Sequence, residues 1–70
     1  MSVRTFHYYH PDTGALHSRI FKCSGPYAEK DAAANAPAGH HVLEAVIAHP
    51  WRMRVDVATG QVIPLEDRSH

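Results

Sequence analysis

Cysteine is nearly absent: Cys23 is the only one among 70 residues, so no disulfide can close within the chain and no multi-cysteine zinc or iron–sulfur centre can form. A reducing interior is the expected compartment. An excess of charge of either sign is also missing. Seven Lys and Arg balance seven Asp and Glu, which removes the usual electrostatic argument for a nucleic-acid or membrane-surface partner. No apolar run approaches the roughly 20 residues that span a bilayer, and the first residues lack the apolar stretch of a signal peptide. A soluble chain that is not exported by that route is expected. Leu, Ile, Val and Phe are scarce, 14 in all, so the core should be thin. A domain this small buries only about 60% of the surface of its unfolded chain and usually leans on a disulfide, a metal or a partner subunit.

What is present reads as a small α+β domain over residues 1–65. The expected order is β-β-α-β-β-β: an antiparallel sheet of about five short strands, formed by two hairpins and a central strand, with one helix packed on one face. Residues 3–10 and 16–23 are rich in aromatic and β-branched residues and flank Pro11-Asp12-Thr13-Gly14, a hairpin signature. Ser24-Gly25-Pro26 ends the second strand. The alanine-rich segment 27–36, acidic near its start at Glu29 and Asp31, predicts a helix stopped by Pro37 and Gly39. Ala28, Ala32 and Ala36 give it a small face for close packing, and Tyr27 with Ala34 a second contact line.

Residues 41–48, holding Val42, Leu43, Val46 and Ile47, are expected to form the most buried strand. Residues 51–57 alternate, with Trp51, Met53, Val55 and Val57 on a packed face and Arg52, Arg54 and Asp56 on a solvated one. Ala58-Thr59-Gly60 then turns the chain into residues 61–64, where Pro64 marks an edge or strand end. Residues 66–70 should fray. The turns at Thr13-Gly14 and Thr59-Gly60 are alike, and common hairpin chemistry explains that more simply than an internal duplication.

Histidine is the compositional oddity, with seven at positions 7, 10, 17, 40, 41, 49 and 70. His7 and His17 are the candidates for a metal or small-ligand pair across the first hairpin. Strand alternation sets His7 against His10 and His40 against His41, and no His-Glu-x-x-His spacing occurs, so exposed or half-buried strand histidines are the preferred reading and no cofactor is expected. The aromatic residues Tyr8, Tyr9 and Trp51, with Arg52 and Arg54, are the candidate interaction surface. No phosphate loop, nucleophile elbow or paired acid motif appears, and Cys23 reads as a core thiol, so a non-enzymatic chain is expected.

Three stretches, Tyr8-Tyr9-His10-Pro11-Asp12-Thr13-Gly14-Ala15-Leu16, Ala33-Ala34-Asn35-Ala36-Pro37-Ala38-Gly39 and Arg54-Val55-Asp56-Val57-Ala58-Thr59-Gly60-Gln61-Val62, resemble short proteins encoded among tail genes of bacteriophages and prophages, including tail-fibre accessory proteins. His40-His41 and Trp51-Arg52-Met53 depart from that pattern. The resemblance implies a bacterial cytoplasmic protein that can enter a phage particle, with adhesion to other protein chains as its function. Partners would be tail components or a second copy of the chain. An uncovered sheet face would favour self-association, since Phe6 and Tyr8 fall on one alternation of the first strand and Val3 and Tyr9 on the other. Protonating seven histidines adds seven positive charges to a neutral chain, so stability is expected to fall between roughly pH 7 and pH 5.

Overall fold

A computed structural model describes residues 2–65, so the expected fraying of 66–70 lies outside the described residues. Five strands and one helix occur in the order β-β-α-β-β-β: β1 Arg4–Tyr9, β2 Leu16–Cys23, α1 Ala28–Ala34, β3 His41–Glu44, β4 Met53–Asp56 and β5 Gln61–Pro64. The chain is a small α+β fold with antiparallel pairing throughout. The strands are divided between two ladders, a three-stranded sheet in the order β2-β1-β3 and the β4-β5 hairpin.

The first ladder explains the core. β1 lies in the middle, with Phe6 opposite both Phe21 and Glu44 and His7 opposite both Ile20 and Leu43. Being flanked on both sides buries three successive β1 side chains, Phe6, His7 and Tyr8. Alternation sends Phe6 and Tyr8 to one face and His7 to the other. α1 covers the first face, where Ala28 and Ala32 pack with Phe6 beside Phe21 and Cys23. Alanine at these positions lets the helix backbone come so close that the Tyr8 hydroxyl donates to the Ala32 carbonyl at 2.7 Å. Burial pushes the Tyr8 hydroxyl's pKa upward. At the other end Arg4 clamps the layers, donating to Glu44 of β3 at 2.8 and 2.6 Å and to Glu29 of α1 at 2.7 Å. That pairing holds Glu44 below the usual carboxylate range.

Several expected boundaries shift. The helix spans only Ala28–Ala34, with Tyr27 at its N-cap and Asn35 at its C-cap. Tyr27 is 68% exposed and Ala34 is exposed as well, so no second contact line forms. The segment expected to be the most buried strand is an outer one. Only His41–Glu44 pairs, on one side alone, and Val42 and Val46 stay exposed. Pro50 opens a 3-10 turn, Pro50–Arg52, because its fixed φ and missing N–H suit the start of a helical turn and not a ladder. β4 therefore starts at Met53. Of the face expected to pack, Val55 is fully buried and Met53 half-buried, while Trp51 and Val57 are exposed.

The two hairpins close with the same turn. Gly14 N–H donates to the His10 carbonyl at 2.7 Å, and Gly60 N–H donates to the Asp56 carbonyl at 2.6 Å. The Thr13 hydroxyl accepts from Ala15 N–H, as the Thr59 hydroxyl accepts from Gln61 N–H. His10 Nδ1 accepts from Asp12 N–H at 3.1 Å, the role that Asp56 Oδ1 plays toward Ala58 N–H at the same distance. Both glycines adopt φ of +79°. They differ in surroundings. A Cβ on Gly60 would meet open space, whereas one on Gly14 would lie on the Val55 carbonyl oxygen. Here the second ladder docks: Val55 N–H donates to the Gly14 carbonyl at 2.8 Å, and Ala15 bridges to Arg54.

Candidate functional site

The docking of β4 at Gly14 leaves the 3-10 turn beside β2, and the largest exposed aromatic of the described chain sits on that turn. Trp51 is 70% exposed, with its ring edge-to-face against His49 at 5.1 Å. It lines two of three adjoining cavities. The first, about 570 Å³, is lined by His49, Trp51, Arg52, Met53, Pro64 and Leu65. It shares His49 and Met53 with a second of about 370 Å³, bounded by Val46, Ile47 and Val62. Trp51 also borders the third, about 310 Å³, between Pro50 and the β2 residues Leu16, His17, Ser18 and Ile20. The Leu65 N–H donates to the Arg52 carbonyl at 2.9 Å, which ties the end of the described chain against the turn.

Exposed Val46, Trp51, Ile20 and Leu65 thus line cavities linked in a row through shared residues, His49 and Met53 between the first and second and Trp51 between the first and third, and together these are called the groove. Among the described residues Arg52 is the only formally charged one that lines it, and no described Asp or Glu borders it. Contiguous apolar surface with an aromatic at its centre and a cation at its rim is the composition of a protein-binding patch.

The expected surface residues divide accordingly. Trp51 and Arg52 lie together on the groove. Arg54 is half-buried where β4 meets Ala15. Tyr9 is half-buried against the His41 ring at 5.7 Å. Tyr8 must be removed from the candidate surface, because it is fully buried beneath α1. The sequence pattern does not mark the apolar residues 45–48 or Leu65 as surface. Val46 and Ile47 read as strand core because a short apolar run carries no sign of whether a second strand will cover it.

The expected His7–His17 pair does not form. His7 projects from the face opposite the helix, whereas alternation from Ile20 along β2 puts His17 on the helix side. His7 is only 1% exposed, and neither ring nitrogen has a hydrogen-bond partner among the described residues. Burial, with Lys22 nearby, lowers its pKa below the ordinary histidine value. His17 instead meets His40 at 5.0 Å between ring centroids, and His40 meets His10 at 5.9 Å. Among the described residues no group of three His, Cys, Asp or Glu side chains could hold a metal ion. Cys23 Sγ lies 3.7 Å from the Ala28 carbonyl against the helix. No described helix is long and apolar enough to cross a membrane.

A scan of protein-family models finds none that matches the chain, and comparison with curated proteins and with solved structures finds no match.

Proposed function

We propose that the chain acts as a non-enzymatic protein–protein interaction module whose groove around Trp51 receives an apolar segment of another protein flanked by carboxylates. The observation that carries this reading is the exposure of Trp51 between two of three adjoining, largely apolar cavities, whose one charged lining residue among the described residues is Arg52. A buried aromatic anchor surrounded by contacts that exclude water is how protein interfaces concentrate binding energy, and a rim arginine selects an acidic neighbour. The resemblance to phage and prophage tail-associated proteins supports a tail or tail-fibre component as the partner.

The test places Trp51→Ala and Arg52→Glu variants in a lysogen and follows the chain into purified particles and assembly intermediates. Wild-type chain should be recovered with them, and a photo-crosslinking residue at position 51 should join it to one tail component. Each substitution should cut recovery by at least about tenfold, the effect of losing an interface anchor or reversing a rim charge. Absence of the wild-type chain from particles and intermediates would overturn the tail assignment. Recovery unaffected by Trp51→Ala would overturn the groove.

A further inference from the structure

β2 is the longest strand of the described chain, with 8 residues, and among the described residues it pairs along one side only, with β1. The hydrogen bonds show which of its backbone groups face the open side. Ala45 N–H donates to the Thr5 carbonyl at 3.1 Å, so Thr5 and His7 direct their backbone groups toward β3 while Arg4 and Phe6 direct theirs toward β2. Cys23 and Phe21, opposite Arg4 and Phe6, are therefore used on β1. Alternation then points the N–H and C=O groups of Ile20 and Lys22 outward, away from β1.

The second ladder begins to cover this edge and then leaves it. Arg54 of β4 bridges to Ala15, and the same antiparallel register carried one step further would set Met53 beside Leu16. Pro50–Arg52 departs from that line as a 3-10 turn, and the cavity of about 310 Å³ opens in the wedge between Pro50 and Trp51 on one side and Leu16, Ser18 and Ile20 on the other. Unpaired backbone groups on a strand edge, next to an apolar cavity that an alternate side chain can fill, are what captures an extended peptide by strand addition.

Charge identifies the strand that fits. Arg19, Ile20 and Lys22 are exposed, and β2 carries no Asp or Glu. Among the described residues the ion pairs are those of Arg4, which leaves Lys22 and Arg52 without a carboxylate. A second copy of β2 would bring Arg19 and Lys22 of both strands into one sheet with no carboxylate between them, an unfavourable pairing. We propose that β2 takes up an extended, acidic-flanked segment of another protein as an added strand, bonded to the outward backbone groups of Ile20 and Lys22. An apolar side chain of that segment enters the cavity against Trp51, and its flanking carboxylates face Lys22 at one end and Arg52 at the other. This rests on the groove reading and specifies how the partner binds there: main-chain hydrogen bonds supply affinity, while the cavity and the two cations select side chains.

The probe is a capped heptapeptide of three central valines flanked on each side by two glutamates, titrated into the full chain and followed by amide hydrogen exchange, Trp51 emission and sedimentation. It should bind saturably and slow exchange at Ile20 and Lys22 at least about tenfold, and the counterpart with lysine for glutamate should not bind. N-methylation of the peptide at alternate residues should weaken binding at least about tenfold in one alternation and leave it within about twofold in the other, since only one set of its N–H groups faces β2. Lys22→Glu, an exposed substitution that spares the fold, should weaken binding roughly fivefold. No saturable binding, equal effects of the two N-methylated peptides, or binding without new protection at Ile20 and Lys22 would overturn strand addition. Protection at those amides that grows with the concentration of peptide-free chain would assign the edge to a second copy and overturn it as well. A shifted Trp51 emission without that protection removes the added strand and keeps the groove, whereas protection with unchanged Trp51 emission removes the groove and keeps the strand.

Discussion

Substituting Gly14 and Gly60 separately by alanine isolates the contact that joins the two ladders. The two glycines share a turn, a hydrogen-bond pattern and a φ of +79°, so the backbone cost of a side chain is common to both, about 1–2 kcal/mol. Only Gly14 has a neighbour. A Cβ there would overlap the Val55 carbonyl oxygen, a backbone atom that cannot swing aside as a flexible side chain can. β4 must therefore withdraw from the first turn. Withdrawal breaks the Val55–Gly14 hydrogen bond, worth about 0.5–1.5 kcal/mol, and exposes the fully buried Val55, worth about 1.5–3 kcal/mol. Gly14→Ala should thus cost about 3–6.5 kcal/mol and Gly60→Ala about 1–2 kcal/mol. Against a total stability of roughly 4–10 kcal/mol for a chain of this length, the first substitution can release the second ladder outright. Urea unfolding with amide exchange at Val55 reads both numbers. Equal losses in the two variants, with Val55 protection retained in Gly14→Ala, would refute the claim that the ladders join through this turn.

Three further outcomes follow from single residues. His7 is buried without hydrogen-bond partners and its pKa is lowered by that burial; the unfolded chain takes up a proton near pH 6.5 that the folded chain resists, so stability falls as pH drops. The loss between pH 7 and pH 5 is up to about 2 kcal/mol, and thermal unfolding of His7→Phe should show that part of the slope removed, whereas an unchanged slope would place the effect on other histidines. Tyr8→Phe removes the donor to the Ala32 carbonyl while keeping the ring, and should cost about 1 kcal/mol in urea unfolding; no loss would mean that this bond contributes nothing net. His10→Asn should keep the first turn and His10→Ala should weaken it by about 1 kcal/mol, because position 10 acts as a side-chain acceptor just as Asp56 does; equal stability of the two would contradict that role.

Local chemistry made much of this fold readable. Thr-Gly at the end of each turn and the 28, 32, 36 alanine spacing identify both hairpins and the buried helix face without knowledge of tertiary contacts, although Ala36 falls beyond the helix, which ends at Ala34. What could not be read is which elements lie next to one another. Residues 41–48 carry a core composition, yet they run along an outer position, and Val46 ends 86% exposed. The alternation from Trp51 onward is real only from Met53, since Pro50 converts the first residues into a 3-10 turn. The histidines illustrate the same gap. Alternation separates His7 from His10 on one strand, but only the register irregularity between His7 and Tyr9, together with the loop after α1, reveals that His10 and His17 meet His40. The similarity of the two turns was visible at Thr-Gly, whereas the equivalence of His10 to Asp56 was not, because an imidazole acting as an Asx-like acceptor leaves no compositional trace.

Trp51 is the chain's single tryptophan, so tryptophan-selective emission of the free chain reports on the proposed groove. The most direct measurement is the Trp51 emission maximum in dilute protein and on titration with purified tail components, with the components' own emission subtracted and quenching by iodide as a second readout. A water-exposed emission is expected in the free chain, then a blue shift and loss of quenching that saturate with partner and disappear in Arg52→Glu. A Trp51 that stays exposed and fully quenchable while the chain is bound to those components would contradict the groove as the binding surface.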